Sequence, residues 1–160
     1  MSRGLLLRRA EPADVPALEA LERACFTHPW TGAQLADELA AASPGFVLVL
    51  ERPAGGGGRR LCAYGAFRLV LDEMHVMNVA VAPPERRRGI ARWLLRFAMG
   101  RAARRGACRA LLEVRAGNRG AVALYESLGF HRLGVRREYY REPVEDALVL
   151  AREGLQRILN

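Results

Sequence analysis

The stretch VMNVAV, residues 76–81, is followed after four further residues by RRRGIA, residues 86–91. It predicts a buried strand, a short basic turn and then a helix that begins near Gly89. Amide N–H groups at the start of a helix lack intrahelical partners and carry the positive end of the helix dipole, so they can bind phosphate. Neither of the two usual nucleotide-loop patterns, G-x-x-x-x-G-K or G-x-G-x-x-G, follows the strand. The stretch therefore predicts an anion cradle between a strand and a helix.

The sequence around the cradle predicts an α/β protein with one mixed sheet. Apolar residues at helical spacing predict helices over residues 15–25, 31–41, 89–106 and 121–128. Apolar and alternating runs predict strands over residues 5–9, 46–50, 61–70, 74–82, 110–114, 130–137 and 147–152. Tyr139, Tyr140 and Pro143 fall in the expected loop between the last two strands. The order β-α-α-β-β-β-α-β-α-β-β implies helices on both faces of the sheet.

Length and composition indicate an ordinary globular protein. The chain has 160 residues, of which 51% are hydrophobic and 26% charged, and we expect a single domain over residues 3–153 with a tail over 154–160. The three cysteines include no Cys-x-x-Cys pair, so neither a disulfide framework nor a metal site is expected. No apolar stretch approaches the ~20 residues of a membrane span. We therefore expect a cytoplasmic protein that does not bind membranes.

The formal net charge of +8 has two interpretations. It could mark a surface that binds nucleic acid, or it could be the solvated face of an arginine-rich sequence. Few aromatic residues stand among the basic ones, and binding of single-stranded nucleic acid uses such residues for stacking. The second interpretation is favoured, and no direct contact with nucleic acid is expected. Residues 86–88 are set apart because phosphate is their expected partner.

These motifs resemble those of the GNAT acetyltransferases. The pattern Arg86-x-x-Gly89-x-Ala91 is similar to the Arg/Gln-x-x-Gly-x-Gly/Ala signature with which that family holds the pyrophosphate of coenzyme A. Asn118 and the string ALYESLGF, residues 123–130, complete a resemblance that covers nearly the whole chain. The order of helices and strands is also that of the family. Position 91 carries alanine where glycine is more common, and its small size is expected to preserve the cradle.

Several strings narrow the resemblance to the RimI type within this family. They are LDE at residues 71–73, NVAV at 78–81, LEVR at 112–115 and RREYY at 136–140. Enzymes of that type acetylate the N-terminal alanine of small-subunit ribosomal protein eighteen. The resemblance therefore implies acetyl-CoA as co-substrate and, as partner, a protein N-terminus that belongs to a ribosomal protein.

The resemblance also implies which residues bind acetyl-CoA. They are Val79, Ala80 and Val81 on the strand, Arg86, Arg87, Arg88, Gly89, Ile90, Ala91 and Arg92 around the cradle, and Asn118 before the last helix. Without the resemblance, the strand residues could simply be side chains that pack in the apolar core. The arginines could form an ordinary basic helix start, and Asn118 could act only as a helix cap.

Glu113 is the expected catalytic base. It alternates with Leu112 and Val114, so it lies on the opposite face of its strand, where a carboxylate is costly unless it is paired. A salt bridge with Arg115 or Arg109 is the structural alternative. In RimI-like enzymes the matching glutamate accepts a proton, through water, and this resemblance favours the catalytic role. Glu73 is the alternative base, although a contact with the amino-terminal region of the substrate is its expected role.

Tyr125 is the expected catalytic acid. It shares a helix face with Ala121 and Leu128, so a tyrosine that only packs in the core is the alternative. GNAT enzymes place the matching hydroxyl at the sulfur of coenzyme A, where it can protonate the departing thiolate.

Substrate contacts are expected at Trp30, Glu73, Tyr139 and Tyr140. Trp30 lies between the first two helices, where RimI-like enzymes form one wall of the peptide groove, and it could equally be a packing residue. Tyr139 and Tyr140 are the candidates for the opposite wall. The predicted function is acetylation of an N-terminal alanine. The alternatives are acetylation of a small-molecule amine and a non-catalytic module that binds the ribosome or RNA.

Overall fold

The computed structural model describes residues 4–158. Its strands are β1 (Leu6–Arg9), β2 (Gly45–Pro53), β3 (Arg59–Val70), β4 (Glu73–Val81), β5 (Arg109–Arg115), β6 (His131–Arg141) and β7 (Val144–Glu153). Its four main helices are α1 (Val15–Cys25), α2 (Gly32–Leu39), α3 (Ile90–Ala103) and α4 (Arg119–Ser127). The predicted order of helices and strands is confirmed. Residue 3 of the expected domain and residues 159 and 160 of the expected tail lie outside the described residues.

The sheet is mixed, as predicted. Its seven strands follow the order β1-β2-β3-β4-β5-β7-β6. The pairs β1–β2, β2–β3, β5–β7 and β6–β7 are antiparallel, whereas β4 and β5 run parallel. No helix within residues 4–158 has the length and apolar character needed to cross a membrane.

One compact unit contains residues 4–68 and 77–95. Its apolar core is built from both helices before β2 and from strands β2, β3 and β4, and the buried members are Leu18, Leu21, Leu35, Val47, Val49, Tyr64, Ala66 and Ala80. Burial of a leucine-sized side chain contributes about 1.5–3 kcal/mol, so this cluster is a large share of the unit's stability. α2 begins close to the predicted start because Thr31 and Gln34 form a reciprocal cap. The Thr31 hydroxyl accepts from the Gln34 N–H at 3.2 Å, and the Gln34 side chain accepts from the Thr31 N–H at 2.9 Å.

The second compact unit contains residues 69–76 and 96–158. In β5, Ala110, Leu112 and Val114 are buried, and the side chains that alternate with them are partly exposed, which confirms the predicted alternation. A short helical segment, Leu155–Ile158, follows β7. Leu155, in the expected tail, is fully buried, and its N–H donates to the Cys108 carbonyl at 2.9 Å.

Two details of the prediction are wrong. Tyr139 and Tyr140 are not in a loop, because β6 continues to Arg141 after a register irregularity and only Glu142 and Pro143 join it to β7. Aromatic residues favour extended backbone, and a paired strand satisfies their main-chain groups. The helix predicted over residues 89–106 is shorter in the structure, where α3 ends at Ala103 and a turn follows.

Candidate active site

The predicted cradle has the backbone of a tight turn that leads into a helix. Arg87 and Gly89 have positive φ angles of 63° and 77°. The first full helical hydrogen bond runs from the Trp93 N–H to the Gly89 carbonyl at 3.0 Å. The N–H groups of residues 90–92, in the first turn of α3, come before this bond. For each of them, the residue four positions earlier lies outside the helix. This arrangement provides amide donors and the positive end of the helix dipole at one place.

Glycine is required at position 89 by its backbone. A Cβ added there would meet no protein atom within 4 Å, so crowding by the chain does not explain the residue. Its φ of 77° lies in the left-handed region, where an L side chain costs about 1–2 kcal/mol. The space beside the turn is open to an anion.

A buried carboxylate lies next to the cradle. Glu85 is 2% exposed and pairs with Arg60 at 2.7 Å, Arg52 at 3.1 Å and Arg88 at 3.4 Å. Arg86 is also held by the protein, because its Nε donates to the Val81 carbonyl at 3.0 Å. One negative charge thus fixes three guanidinium groups, and the surroundings of the turn stay strongly positive. Sequence reasoning missed Glu85, although a carboxylate beside three consecutive arginines is a usable signal.

The strand before the cradle contributes both core and partly exposed positions. Ala80 belongs to the buried cluster, as expected if the strand residues are core residues. Val79 and Val81 are partly exposed. The Val81 carbonyl accepts from the Cys25 thiol at 3.3 Å as well as from Arg86. The end of β4 is therefore tied both to α1 and to the cradle.

Trp30 has a packing role in the structure. It is partly buried against the apolar cluster of its unit, and its main-chain N–H donates to Glu22 Oε2 at 2.8 Å. Its expected contact with substrate stays a prediction. Glu22 is a second residue that sequence reasoning missed.

Glu113 is partly exposed on β5 and has two polar partners. Arg136 Nε lies 2.9 Å from Glu113 Oε1, and the Tyr139 hydroxyl hydrogen-bonds to the same carboxylate, which raises the pKa of Tyr139. Glu113 thus forms a salt bridge, but its partner is neither of the two arginines that were expected. Arg115 pairs instead with Glu145 at 3.4 Å, and Arg109 pairs with Glu73. The actual partner comes from β6, a distant part of the sequence.

The two tyrosines of β6 lie beside this carboxylate. The rings of Tyr139 and Tyr140 are perpendicular, with centroids 5.2 Å apart. Arg115 stacks over the Tyr140 ring at 4.0 Å, and Arg136 lies 5.5 Å from the centroid of the Tyr139 ring. Burial and the nearby Glu113 charge raise the pKa of Tyr140. Three residues predicted for catalysis or substrate binding are therefore close together.

Tyr125 projects from α4 and is partly buried. Its ring packs edge-on against Phe130 with centroids 5.7 Å apart. Burial, with a smaller contribution from Tyr140, raises the pKa of Tyr125 to about 12. At neutral pH the hydroxyl therefore keeps its proton and can act as a donor.

Asn118 caps α4, as one of the two interpretations predicted. Its Oδ1 accepts from the Ala121 N–H at 3.2 Å. This bond uses the side-chain oxygen and does not involve the amide nitrogen. α4 begins at Arg119, two residues before the predicted start.

Glu73 is held as an anion at the start of β4. Arg109 Nε donates to its Oε1 at 2.8 Å, and His75 Nε2 lies 2.9 Å from its Oε2. The hydrogen bond from Arg109 is the main reason that the pKa of Glu73 is lowered. A carboxylate stabilised in this way is a weak proton acceptor. Within the described part of the chain, no group of three His, Cys, Asp or Glu side chains could hold a metal ion.

The comparisons with known proteins agree on one family. The acetyltransferase (GNAT) family matches residues 15–130. The chain is 34% identical over 143 residues to the [ribosomal protein bS18]-alanine N-acetyltransferase of Escherichia coli, covering 88% of this chain and 92% of that protein. It is 37% identical over 146 residues to the N-alpha-acetyltransferase RimI of Mycobacterium tuberculosis, covering 88% and 87%. The crystal structure of the Escherichia coli enzyme matches with a TM-score of 0.82 and 32% identity, over 93% of each chain.

Proposed function

Because the chain belongs to the GNAT family of acetyltransferases and is an acetyl-CoA-dependent N-acetyltransferase, we propose that its acceptor is the α-amino group of an N-terminal alanine. The proposed owner of that alanine is a ribosomal protein. The observation that carries this proposal is the 34% identity, along 88% of the chain, to an enzyme named for the alanine of ribosomal protein bS18. The strings at residues 112–115 and 136–140, which include the proposed base and the paired tyrosines, support the same acceptor.

In this proposal the cradle binds the pyrophosphate of acetyl-CoA. The donors are the N–H groups of residues 87–91, and the cations are the side chains of Arg86, Arg87, Arg88 and Arg92. The open space beside Gly89 and the two positive φ angles are the features that fit a bound anion. The pantetheine arm would pair with the main chain of residues 79–81, and Asn118 would add a contact through its side chain.

Glu113 is the proposed base. The carboxylate is oriented by Arg136 and Tyr139 and is partly open to water, so a water molecule can relay the proton. It accepts one proton from the α-ammonium group, whose pKa in peptides is about 8. The freed nitrogen lone pair then forms the C–N bond to the acetyl carbonyl carbon. Glu73 is less suited to this role because Arg109 and His75 stabilise its charged form.

Tyr125 is the proposed acid. When the C–S bond breaks, its electron pair stays on sulfur, and the Tyr125 hydroxyl donates a proton to the thiolate. The raised pKa of about 12 keeps that proton on Tyr125 until the thiolate forms. As the amide forms, the nitrogen releases its second proton, and this proton restores Tyr125 through solvent. The products are the acetylated amine and free coenzyme A, and the proton held by Glu113 is returned to solvent.

The proposed peptide contacts are Trp30, Glu73, Tyr139 and Tyr140. Tyr139 and Tyr140 lie beside the Glu113 carboxylate, so a peptide against them brings its N-terminus near the base. The negative charge of Glu73 suits an α-ammonium group or a basic side chain near it.

Replacing Arg86, Arg87 and Arg88 together by alanine is expected to raise the dissociation constant of acetyl-CoA about tenfold or more, because each charge-assisted bond to phosphate is worth about 1.5–3 kcal/mol. The effect on kcat at saturating acetyl-CoA should be smaller. Isothermal calorimetry with coenzyme A measures the first quantity.

The control removes one arginine from the middle of α3 and two from the turn that follows this helix. Arg96, Arg104 and Arg105 are exposed, so their joint replacement by alanine changes the net charge equally. Equal loss of affinity in both variants would show that only total charge matters and would refute the cradle.

The acceptor is tested with purified protein, acetyl-CoA and a thiol reagent that reports free coenzyme A. We expect an Ala-starting peptide to have a much higher kcat/KM than spermidine, and the same peptide with a blocked N-terminus to be inert. Faster turnover of spermidine would favour a small-amine acetyltransferase. Thiol release from none of the three, with salt-sensitive RNA binding, would favour the non-catalytic alternative.

A further inference from the structure

We propose that Glu22 is a positioning residue that fixes the segment between α1 and α2, which carries Trp30, relative to β4. The inference rests on the proposed function, because it assigns Trp30 to the wall of the peptide site. Glu22 is not among the residues proposed to touch acetyl-CoA or the peptide.

Glu22 is a carboxylate inside an apolar core. It is fully buried on α1, in the unit whose core includes Leu18 and Leu21 from the same helix. A buried carboxylate costs several kcal/mol unless hydrogen bonds compensate.

Every described partner of Glu22 is a donor. The Trp30 N–H donates to Oε2 at 2.8 Å, Asn78 Nδ2 donates to Oε1 at 2.5 Å, and the Tyr64 hydroxyl donates to the same oxygen. Asn78 Nδ2 also lies 3.1 Å from the Tyr64 hydroxyl oxygen. Burial raises the pKa of Glu22, while the hydrogen bonds from these three residues oppose the rise. The arrangement requires an acceptor with two oxygens, which a carboxylate supplies.

The three donors come from three separate elements. Trp30 belongs to the connection between α1 and α2, Tyr64 to β3, and Asn78 to β4. Asn78 directly precedes residues 79–81, the proposed site of the pantetheine arm. One carboxylate thus connects the proposed peptide wall with the strand proposed to hold the acyl donor.

The Trp30 bond lies in a segment, residues 26–31, that is neither helix nor strand. The Phe26 N–H still donates to the Glu22 carbonyl at 2.9 Å, and regular helix resumes after Thr31. Between them, the bond from the Trp30 N–H to Glu22 links the segment back to α1. Loss of this link should therefore displace Trp30 before it disturbs the rest of the unit.

The test compares Glu22→Leu with Glu38→Leu in steady-state kinetics. Glu22→Leu removes both acceptors at similar volume, and we expect the KM for the alanine peptide to rise about tenfold, since an unpaired buried N–H costs about 1–3 kcal/mol. The KM for acetyl-CoA should stay close to the wild-type value. Glu22→Gln restores one acceptor and should give an intermediate peptide KM.

Glu38 is the matched control. It is also a buried helical carboxylate, 7% exposed, but it pairs with Arg68, away from the Glu22 network. Glu38→Leu should lower the melting temperature without raising the peptide KM. A wild-type peptide KM in Glu22→Leu overturns the inference. So does an equal rise of both KM values, or an equal effect of Glu38→Leu.

Hydrogen exchange on the wild-type protein gives a second test that does not depend on a variant that folds. The Trp30 amide should exchange slowly, because its N–H is bonded to a buried carboxylate. Rapid exchange overturns the inference. If wild-type protein fails to acetylate the alanine peptide, the proposed function fails, while the exchange result still decides whether Glu22 holds the segment.

Discussion

Replacement of Glu113 by glutamine is expected to lower kcat about 10²–10⁴-fold, the usual contribution of a general base. Glutamine keeps the size of the side chain and can still accept from Arg136 and Tyr139, so the β5–β6 contact should persist. It cannot take up the ammonium proton. Affinity for acetyl-CoA, measured by calorimetry, should stay unchanged.

The control for Glu113 is Glu153 on the neighbouring strand β7. This carboxylate is exposed and lies 4.0 Å from Arg109, so Glu153→Gln removes one charge from the strand that pairs with β5 without touching the base. We expect kcat near the wild-type value. A wild-type kcat in Glu113→Gln would remove the proposed role, and the remaining candidate, Glu73→Gln, would then have to show the loss.

Replacement of Tyr125 by phenylalanine is expected to lower kcat about 10²-fold or more, because the leaving thiolate loses its proton donor. The substitution removes one oxygen and keeps the edge-on contact with Phe130. Coenzyme A affinity and the melting temperature should therefore change little. Loss of stability in parallel with loss of kcat would favour the purely structural interpretation of Tyr125.

The pH profile of wild-type kcat gives a further check on Tyr125. Deprotonation of the hydroxyl would abolish proton donation, and its pKa of about 12 places this loss far above neutral pH. At saturating peptide, kcat should therefore not fall between pH 8 and pH 10, an interval that ends about two units below that pKa. A fall in this interval, absent from Tyr125→Phe, would mean that the hydroxyl ionises much earlier.

Local patterns allowed much of the fold to be predicted. The sequence offered Asn118 as a possible helix cap because a cap depends on residues within one turn, and α2 begins beside Thr31, close to the predicted start. The alternation of Leu112, Glu113 and Val114 was sufficient to place the carboxylate on the strand face opposite the two apolar side chains. The positive φ at Gly89 agrees with the tight turn predicted there.

Contacts between distant parts of the sequence could not be predicted. The partner of Glu113 is Arg136, and nearer arginines pair elsewhere, because strand register decides which side chains meet. Glu22 looks like an ordinary surface residue in the sequence, and the residues near Glu85 in the sequence indicate only its contact with Arg88. Their burial results from donors that only the tertiary structure brings together.

The connection from β2 to β3 has a consequence for how genes of this type can diverge. The chain closes there through an Ala54 N–H to Gly58 carbonyl bond of 2.8 Å, and a Cβ at any of residues 55–58 would meet nothing within 4 Å. Extra length at such a hairpin costs little free energy, since closure entropy grows only slowly with loop length. Codons can be gained or lost at this point without a compensating change elsewhere, so orthologous chains should differ in length here more freely than at the arginine turn.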